Sequence, residues 1–449
     1  MKNNNLENRN ISRRDFCKNT SMAAAGGVLL SSLPIGVSAF SGGNDTLKVA
    51  LIGCGGRGTG AANQALQADQ GTQLVAMADA FRDRLDDCYG SLSERYGETN
   101  QLNVPEEHKF TGFDGYIKAI ELADVVILAT PPGFRPAHFE EAVQAGKHVF
   151  MEKPLATDAP GLRKVLEAGK LAQQKNLNVV VGLQRHYQNS YREVFKRVNN
   201  GDAGKIVSGQ VYWNSSGVWV RERQPEQTEM EYQMRNWYYF NWLCGDHILE
   251  QHIHNIDVAN WFIGEYPESA QGMGGREVRK GREYGEIFDH HFVEFTYPGG
   301  AVIASQCRHQ PNTMNRVSEF FQGTKGTVDT QDGRGILRNW DGDVLYNHRG
   351  DEDPNPYQQE HNELFASIRN GNVINDTENG AKSTLTAIMG RMATYSGKVI
   401  TWDEALNSTI DLMPEVLAWD ANPPVMPNED GFYPVPVPGE TEVLQLVGK

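Results

Sequence analysis

The chain has 449 residues, of which 39% are hydrophobic and 22% charged, with 46 Gly and 20 Pro. That length predicts two or three domains with an ample core, and the near-average composition excludes collagen, wholesale disorder and a disulfide-rich mini-protein. A formal net charge of −15 repels phosphate backbones, so nucleic acid is not an expected partner, and no apolar run beyond the N-terminus is long enough for a membrane span.

Residues 1–39 read as an address. Ser12-Arg13-Arg14-Asp15-Phe16 precedes an uncharged, mildly apolar stretch from Met22 to Val37, and Val37-Ser38-Ala39 is a small-x-small cleavage pattern. Paired arginines ahead of a Phe resemble a twin-arginine signal. This predicts a periplasmic or otherwise exported protein, handed folded and cofactor-loaded to the twin-arginine export machinery. The remaining cysteines, Cys54, Cys88, Cys244 and Cys307, show no CxxC spacing. They indicate neither a zinc knuckle nor a disulfide framework, and leave a single bridge open.

From Leu47 short apolar runs alternate with helical patterns. Strands are expected at 48–52, 74–78, 124–129, 147–151 and 179–182, and helices at 59–68, 137–145 and 161–174. Continuous apolar strands separated by helices predict an α/β, doubly wound parallel sheet over 46–185. Beyond about residue 195 the strands lengthen and alternate: Ile206 to Trp213, Phe288 to Tyr297, Ala301 to Arg308 and Val317 to Gln322, with a hairpin turn at Gly299-Gly300. This predicts a second domain over 195–430 with an antiparallel sheet. One helix, Asp246 to Phe262, is inserted, surface loops cover 330–360, and helices cover 360–395. Residues 431–449, rich in Pro, are expected to form an extended tail.

Gly53-Cys54-Gly55-Gly56-Arg57-Gly58 follows the first strand, opens a helix and fits GxGxxG. In that context the first Gly permits the tight turn, the second lets the backbone approach a pyrophosphate, and the third permits close helix–strand packing. The helix N-terminus adds free N–H groups. Asp79 ends the second strand. A carboxylate there accepts hydrogen bonds from an adenosine ribose and repels a 2′-phosphate, so the expected cofactor is NAD rather than NADP, with Arg82 near enough to soften the preference. Glu152-Lys153-Pro154 ends the strand at 147–151, where side chains enter the ligand crevice. Beside a positive nicotinamide ring the pKa of Lys153 would fall, suiting it to hydrogen-bond or deprotonate a substrate hydroxyl.

The glycine loop, Ala129-Thr130-Pro131-Pro132 with His138 downstream, and Glu152-Lys153-Pro154 together resemble the glucose-fructose oxidoreductase / inositol dehydrogenase / rhizopine-catabolism (Gfo/Idh/MocA) family. The resemblance spans the mature chain and is strongest over 47–190. It implies an N-terminal Rossmann domain binding NAD(P), a C-terminal α/β domain with a large open antiparallel sheet supplying the substrate site, and hydride transfer between nicotinamide and a secondary alcohol or ketone of a sugar or cyclitol. It assigns Gly53, Gly55, Gly56, Arg57, Gly58, Asp79, Thr130, Pro131, His138, Glu152, Lys153 and Arg185 to the cofactor, and places His186 near nicotinamide and substrate.

In the Asp246–Phe262 segment, Leu249, Ile253 and Ile256 make an apolar stripe. Glu250, His254 and Asp257 repeat that spacing one residue on, as the wall of a cleft would. The family pattern is Asp, then His four residues later, then Asp three beyond; here Glu250 takes the first slot, one methylene longer. His254 is the expected general base, with Glu250 orienting it or binding a second hydroxyl. Lys153, Glu250 and His254 are thus the catalytic candidates and, with His186 and Trp237, the substrate contacts. His247, Glu250, His252, His254 and the run Asp289-His290-His291 would suit zinc by residue type, but helical spacing turns His252 away from the others, and no metal is expected. Four of the eight Trp lie between residues 212 and 242. Aromatic faces there suit either sugar rings or a subunit interface, and a homo-oligomer is expected. The leading reading is an exported oxidoreductase with tightly bound, internally recycled NAD. A glycosidase or lyase using transient oxidation and elimination is the alternative, and a non-catalytic sugar-binding protein the third.

Overall fold

The computed structural model describes residues 46–446. The expected export signal lies outside the described residues. Six parallel strands, β1 (Leu47–Ile52), β2 (Thr72–Asp79), β3 (Lys109–Thr111), β4 (Val125–Leu128), β5 (His148–Met151) and β6 (Val179–Val181), form a sheet in the order β3-β2-β1-β4-β5-β6. The order reverses between β1 and β4. At that switch the connections leave in opposite directions and open a crevice at the carboxyl ends of the strands. Helices cover both faces, so β4 is buried at all four positions and reads as an unbroken apolar run.

The second sheet has nine strands in the order β14-β13-β12-β11-β7-β10-β9-β8-β15. They are β7 (Ile206–Ser215), β8 (Ser269–Gly275), β9 (His290–Thr296), β10 (Val302–His309), β11 (Arg316–Gly323), β12 (Gly326–Gln331), β13 (Arg334–Asn339), β14 (Val344–Arg349) and β15 (Ile400–Thr401). All neighbours are antiparallel except β7 and β10. The β9–β10 hairpin turns at Gly299 and Gly300, whose φ values of 78° and 85° favour glycine. Residues of β9 alternate between buried and half-buried. One face packs on the helices Ile253–Ile263 and Thr377–Ser396, and the other stays open, leaving Met273 71% exposed.

Two expectations are corrected. Asp246–Phe262 is not one helix but two, His247–Glu250 and Ile253–Ile263, interrupted at Gln251-His252. The interruption lets the buried His252 reach Ser305 on β10, Nε2 to Oγ 2.7 Å, a bond that a continuous helix would have aimed elsewhere. Residues 330–360 are not merely loops, since β13 and β14 lie there. These strands close one edge of the sheet. The outermost, β14, has no buried residue, so nothing in its sequence needed to be apolar.

The helix Pro356–Asn370 leaves the second sheet and packs on the helix Gly56–Ala68 of the first. Leu364, Phe365 and Ile368 enter the same apolar cluster as Leu51, Ala61 and Leu66. Arg369 Nε pairs with Asp69 Oδ2 at 2.6 Å to fix the contact. Beyond Asn407 no helix or strand occurs among the described residues. Cys54, Cys88, Cys244 and Cys307 are buried and free.

Candidate active site

The glycine loop separates into two kinds of glycine. At Gly53, with φ +94°, an added Cβ would lie 2.5 Å from the Ala129 carbonyl carbon; at Gly58 it would lie 1.9 Å from the Gly53 oxygen. Those two are demanded by the loop's own packing. Gly55 and Gly56 would meet nothing within 4 Å. They face open space where the helix Gly56–Ala68 begins without a side-chain cap, beside a cavity of ≈ 350 Å³. Uncapped N–H groups at a helix start, over a roomy glycine surface, fit a pyrophosphate.

Asp79, Thr130, Pro131 and His138 border the same cavity. Asp79 braces the loop, accepting from the N–H groups of Cys54 (2.7 Å) and Phe81 (2.9 Å). Burial raises its pKa. Thr130 Oγ1 lies 3.2 Å from His138 Nδ1. Burial and then the neighbouring Arg135 push His138 down to about 3, so its ring is neutral. Arg135 went unnoticed in the sequence, where a lone Arg at a helix start reads as solvated. It is buried and donates to the carbonyls of Leu128 and Thr130, both at 2.7 Å, pinning the exit of β4.

Arg57 borders the cavity, but its guanidinium is held by the carboxylates of Glu152 and, at 3.0 Å, Glu360. It therefore ties the loop to the end of β5 and to the helix Pro356–Asn370. Arg185 is buried and ion-paired with Glu319 of β11, which also accepts from Asn255 (2.6 Å) and Thr330 (2.7 Å). Its side chain is thereby committed to the second sheet.

Lys153 lies two residues beyond the end of β5, and its bond to Pro154 is cis. Its Nζ donates to Glu250 Oε1 at 3.0 Å and to the Glu250 carbonyl. Burial raises the pKa of Glu250 against the pull of Lys153. His254 lies four residues on, in the helix Ile253–Ile263, 5% exposed, with Nδ1 unpartnered among the described residues. Burial, then the Lys153 and Arg185 cations, hold its pKa well below the usual imidazole value. It is a neutral ring beside a fixed ammonium. The third polar residue of the stripe, Asp257, pairs instead with His186, Oδ2 to Nε2 2.7 Å. Burial opposes charge on His186, but Asp257 outweighs it and the pKa rises. Trp237 borders the glycine-loop cavity together with Trp219.

The zinc-like residue set disperses. Asp246, His247 and His291 do gather, their candidate ligand atoms within 4.8 Å of one another and all buried. Yet Asp246 Oδ1 accepts from the N–H and Nδ1 of His247 (2.5 and 2.7 Å), and Oδ2 from Phe288 N–H (2.9 Å) and Tyr395 OH (2.5 Å). Four hydrogen bonds occupy this carboxylate, which makes the group a buried polar network.

Two family models match in order. Residues 47–183 match an oxidoreductase family with an NAD-binding Rossmann fold, and residues 191–329 match the GFO/IDH/MocA C-terminal domain. A 2,7-anhydro-N-acetylneuraminate hydratase of Escherichia coli is 26% identical over 54% of this chain and 62% of its own length. An inositol 2-dehydrogenase of Rhizobium meliloti is 24% identical over 65% of this chain and 77% of its own length. An uncharacterized oxidoreductase of Streptococcus pneumoniae is 27% identical over 46% of this chain, which spans only about half of that relative, 51%. Two solved structures share the fold. An aldose-aldose oxidoreductase from Caulobacter crescentus has TM-score 0.62 at 20% identity, covering 79% of this chain and 99% of its own. A scyllo-inositol dehydrogenase from Lactobacillus casei, with bound NAD(H) and scyllo-inositol, has TM-score 0.59 at 20% identity, covering 80% and 99%. The two models together account for more than half of the sequence and fall in order on its two sheets, and the chain belongs to the Gfo/Idh/MocA oxidoreductase family.

Proposed function

We propose that this protein is an exported NAD-dependent oxidoreductase that transfers hydride between a tightly held nicotinamide and a secondary hydroxyl or ketone of a sugar, glycoside or cyclitol. The observation that carries the reading is the Lys153–Glu250 pair just beyond the carboxyl end of β5, with His254 four residues after Glu250 and its Nδ1 unpartnered among the described residues. Bound nicotinamide would accept or return the hydride. The Lys153 ammonium donates a hydrogen bond to the substrate oxygen, and Glu250 fixes its position. His254 takes the hydroxyl proton as the carbonyl forms and returns it in the reverse direction. The names of the inositol 2-dehydrogenase and aldose-aldose oxidoreductase relatives support a polyhydroxylated substrate, and the carboxylate of Asp79 supports NAD over NADP. Ser12-Arg13-Arg14-Asp15-Phe16 supports export, and the open sheet face around Met273 and Val302 supports a homo-oligomer.

The test is to denature the purified exported protein and identify released nucleotide by mass spectrometry, then to screen sugars and cyclitols for reduction of the bound cofactor. Stoichiometric NAD or NADH is expected. A protein that neither carries nucleotide nor binds added NAD overturns the reading. The Escherichia coli relative, a hydratase by name, favours a second reading in which oxidation, elimination and re-reduction leave no net redox change. Product release without accumulating NADH would identify it.

A further inference from the structure

The crevice identified by the glycine loop has a second wall that comes from far along the chain. On one side of the cavity stand Phe81 and Arg84, just beyond Asp79; facing them are Trp219, Arg221, Arg235 and Trp237 from the segment between β7 and the helix Asn241–Cys244. Asp79 marks the position of an adenosine ribose, so this wall closes the adenosine end.

Three contacts hold the wall down. Arg235 grips Asp83 with two hydrogen bonds of 2.9 and 3.2 Å, while its guanidinium carbon sits 4.0 Å from the Phe81 ring centre. Trp419, in the C-terminal strap 411–433, packs against Phe113 and Phe81 with ring centres 4.5 and 5.2 Å apart. The strap is itself tied to both sides. Leu412 N–H donates to Asp158 Oδ2 (2.8 Å), Gln233 Nε2 donates to the Val425 carbonyl (2.6 Å), and Tyr433 OH donates to Glu229 Oε1 (2.5 Å).

The wall also has the chemistry of a nucleotide contact. Trp219 is 39% exposed despite its size, and Trp237 is half-buried. Arg221 lies over Trp219, its guanidinium carbon 5.3 Å from the ring centre, and the two indoles meet edge to face at 5.7 Å, so an aromatic and cationic cluster that suits the π-face of a base borders the cavity. Arg84, Arg221 and Arg235 bring three guanidinium groups to this end of the cavity, with Arg84 close enough to Asp79 and Asp83 to favour the charged form of both carboxyls. An anionic, aromatic ligand meets complementary groups on both counts.

We propose that Trp219, Trp237 and Arg221 form an adenosine subsite supplied by the second half of the chain, and that the Arg235–Asp83 clasp must open before the nucleotide can leave. This rests on the nucleotide reading above. It goes further in placing the cause of retention in the wall rather than in the glycine loop.

The experiment compares the purified full-length protein with Arg235→Ala, Asp83→Ala, Trp237→Ala and Trp237→Phe variants. The measurements are nucleotide retained through gel filtration and the rate at which isotopically labelled NAD replaces it. Opening the clasp from either side should accelerate exchange alike, by roughly tenfold, because such changes act on dissociation. Trp237→Ala should lose retained nucleotide and Trp237→Phe should restore most of it. Wild-type exchange rates in both clasp variants, in proteins that melt like the wild type, overturn the proposal while leaving the nucleotide reading intact. A wild-type protein that binds no NAD overturns both.

Discussion

In the proposed reaction Lys153 serves as a charged donor and His254 as a base, and each role can be tested separately. Lys153→Met should lower turnover by ~10²–10⁴-fold, the usual worth of a positioned acid–base group, while nucleotide content stays at the wild-type level. Near-wild-type turnover would remove Lys153 from the chemistry. Because His254 is held well below the ordinary imidazole range, kcat/KM should be flat through neutral pH and fall only below about pH 6.5. An acid limb above that point would transfer the role to His186, whose pKa is raised by Asp257. Lys153 and Glu250 stand out in the sequence, one in a motif at a strand end and the other on a polar stripe beside an apolar one, but their pairing does not, since Glu250 is expected there to orient His254 or bind a second hydroxyl. The partners of Arg185 were not legible. Glu319 lies 134 residues further on, and no local pattern announces a buried carboxylate waiting for a guanidinium.

At the scale of elements, the two packing glycines and the returning helix make distinct predictions. Gly58→Ala would press a methyl against the Gly53 carbonyl at 1.9 Å, a backbone atom that cannot swing aside. It should abolish nucleotide binding, read by calorimetric titration with NAD; intact affinity would show that the loop can relax. Phe365 is fully buried between two elements distant in sequence. Phe365→Ala should cost about 3–5 kcal/mol in urea unfolding, and a cost below about 1 kcal/mol would mean the helix is not part of the cooperative core. Periodicity disclosed the central strands of both sheets because burial dictates their residue types. It failed at the edge strand β14, which has no buried residue, at the short β13 beside it, and at Gln251-His252, where the helix breaks and His252 bonds Ser305 on β10.

For the whole molecule, buried carboxylates set a pH dependence that opposes intuition. Burial pushes Glu286 up to about 7, although it accepts a hydrogen bond from Asn241 N–H at 2.8 Å. A folded pKa above the unfolded one means stability that is fully present below the unfolded value, near 4.5, and is lost as pH rises through 7. Glu286→Gln should therefore gain on the wild type between pH 5 and pH 8, by on the order of 3 kcal/mol at most, in paired urea titrations at the two pH values. A constant difference would show that Glu286 stays charged throughout.

The return of the helix Pro356–Asn370 to the first sheet also imposes a timetable on synthesis. A nascent chain ordinarily completes its N-terminal unit while the remainder is still being made. Here Leu364, Phe365 and Ile368 are missing from the first core until some 370 residues have emerged from the ribosome. A translation product stopped at residue 190 would carry every strand of the parallel sheet and still present an uncovered apolar face to the cell. The helix therefore makes the last third of the message a condition for the first third of the protein to settle.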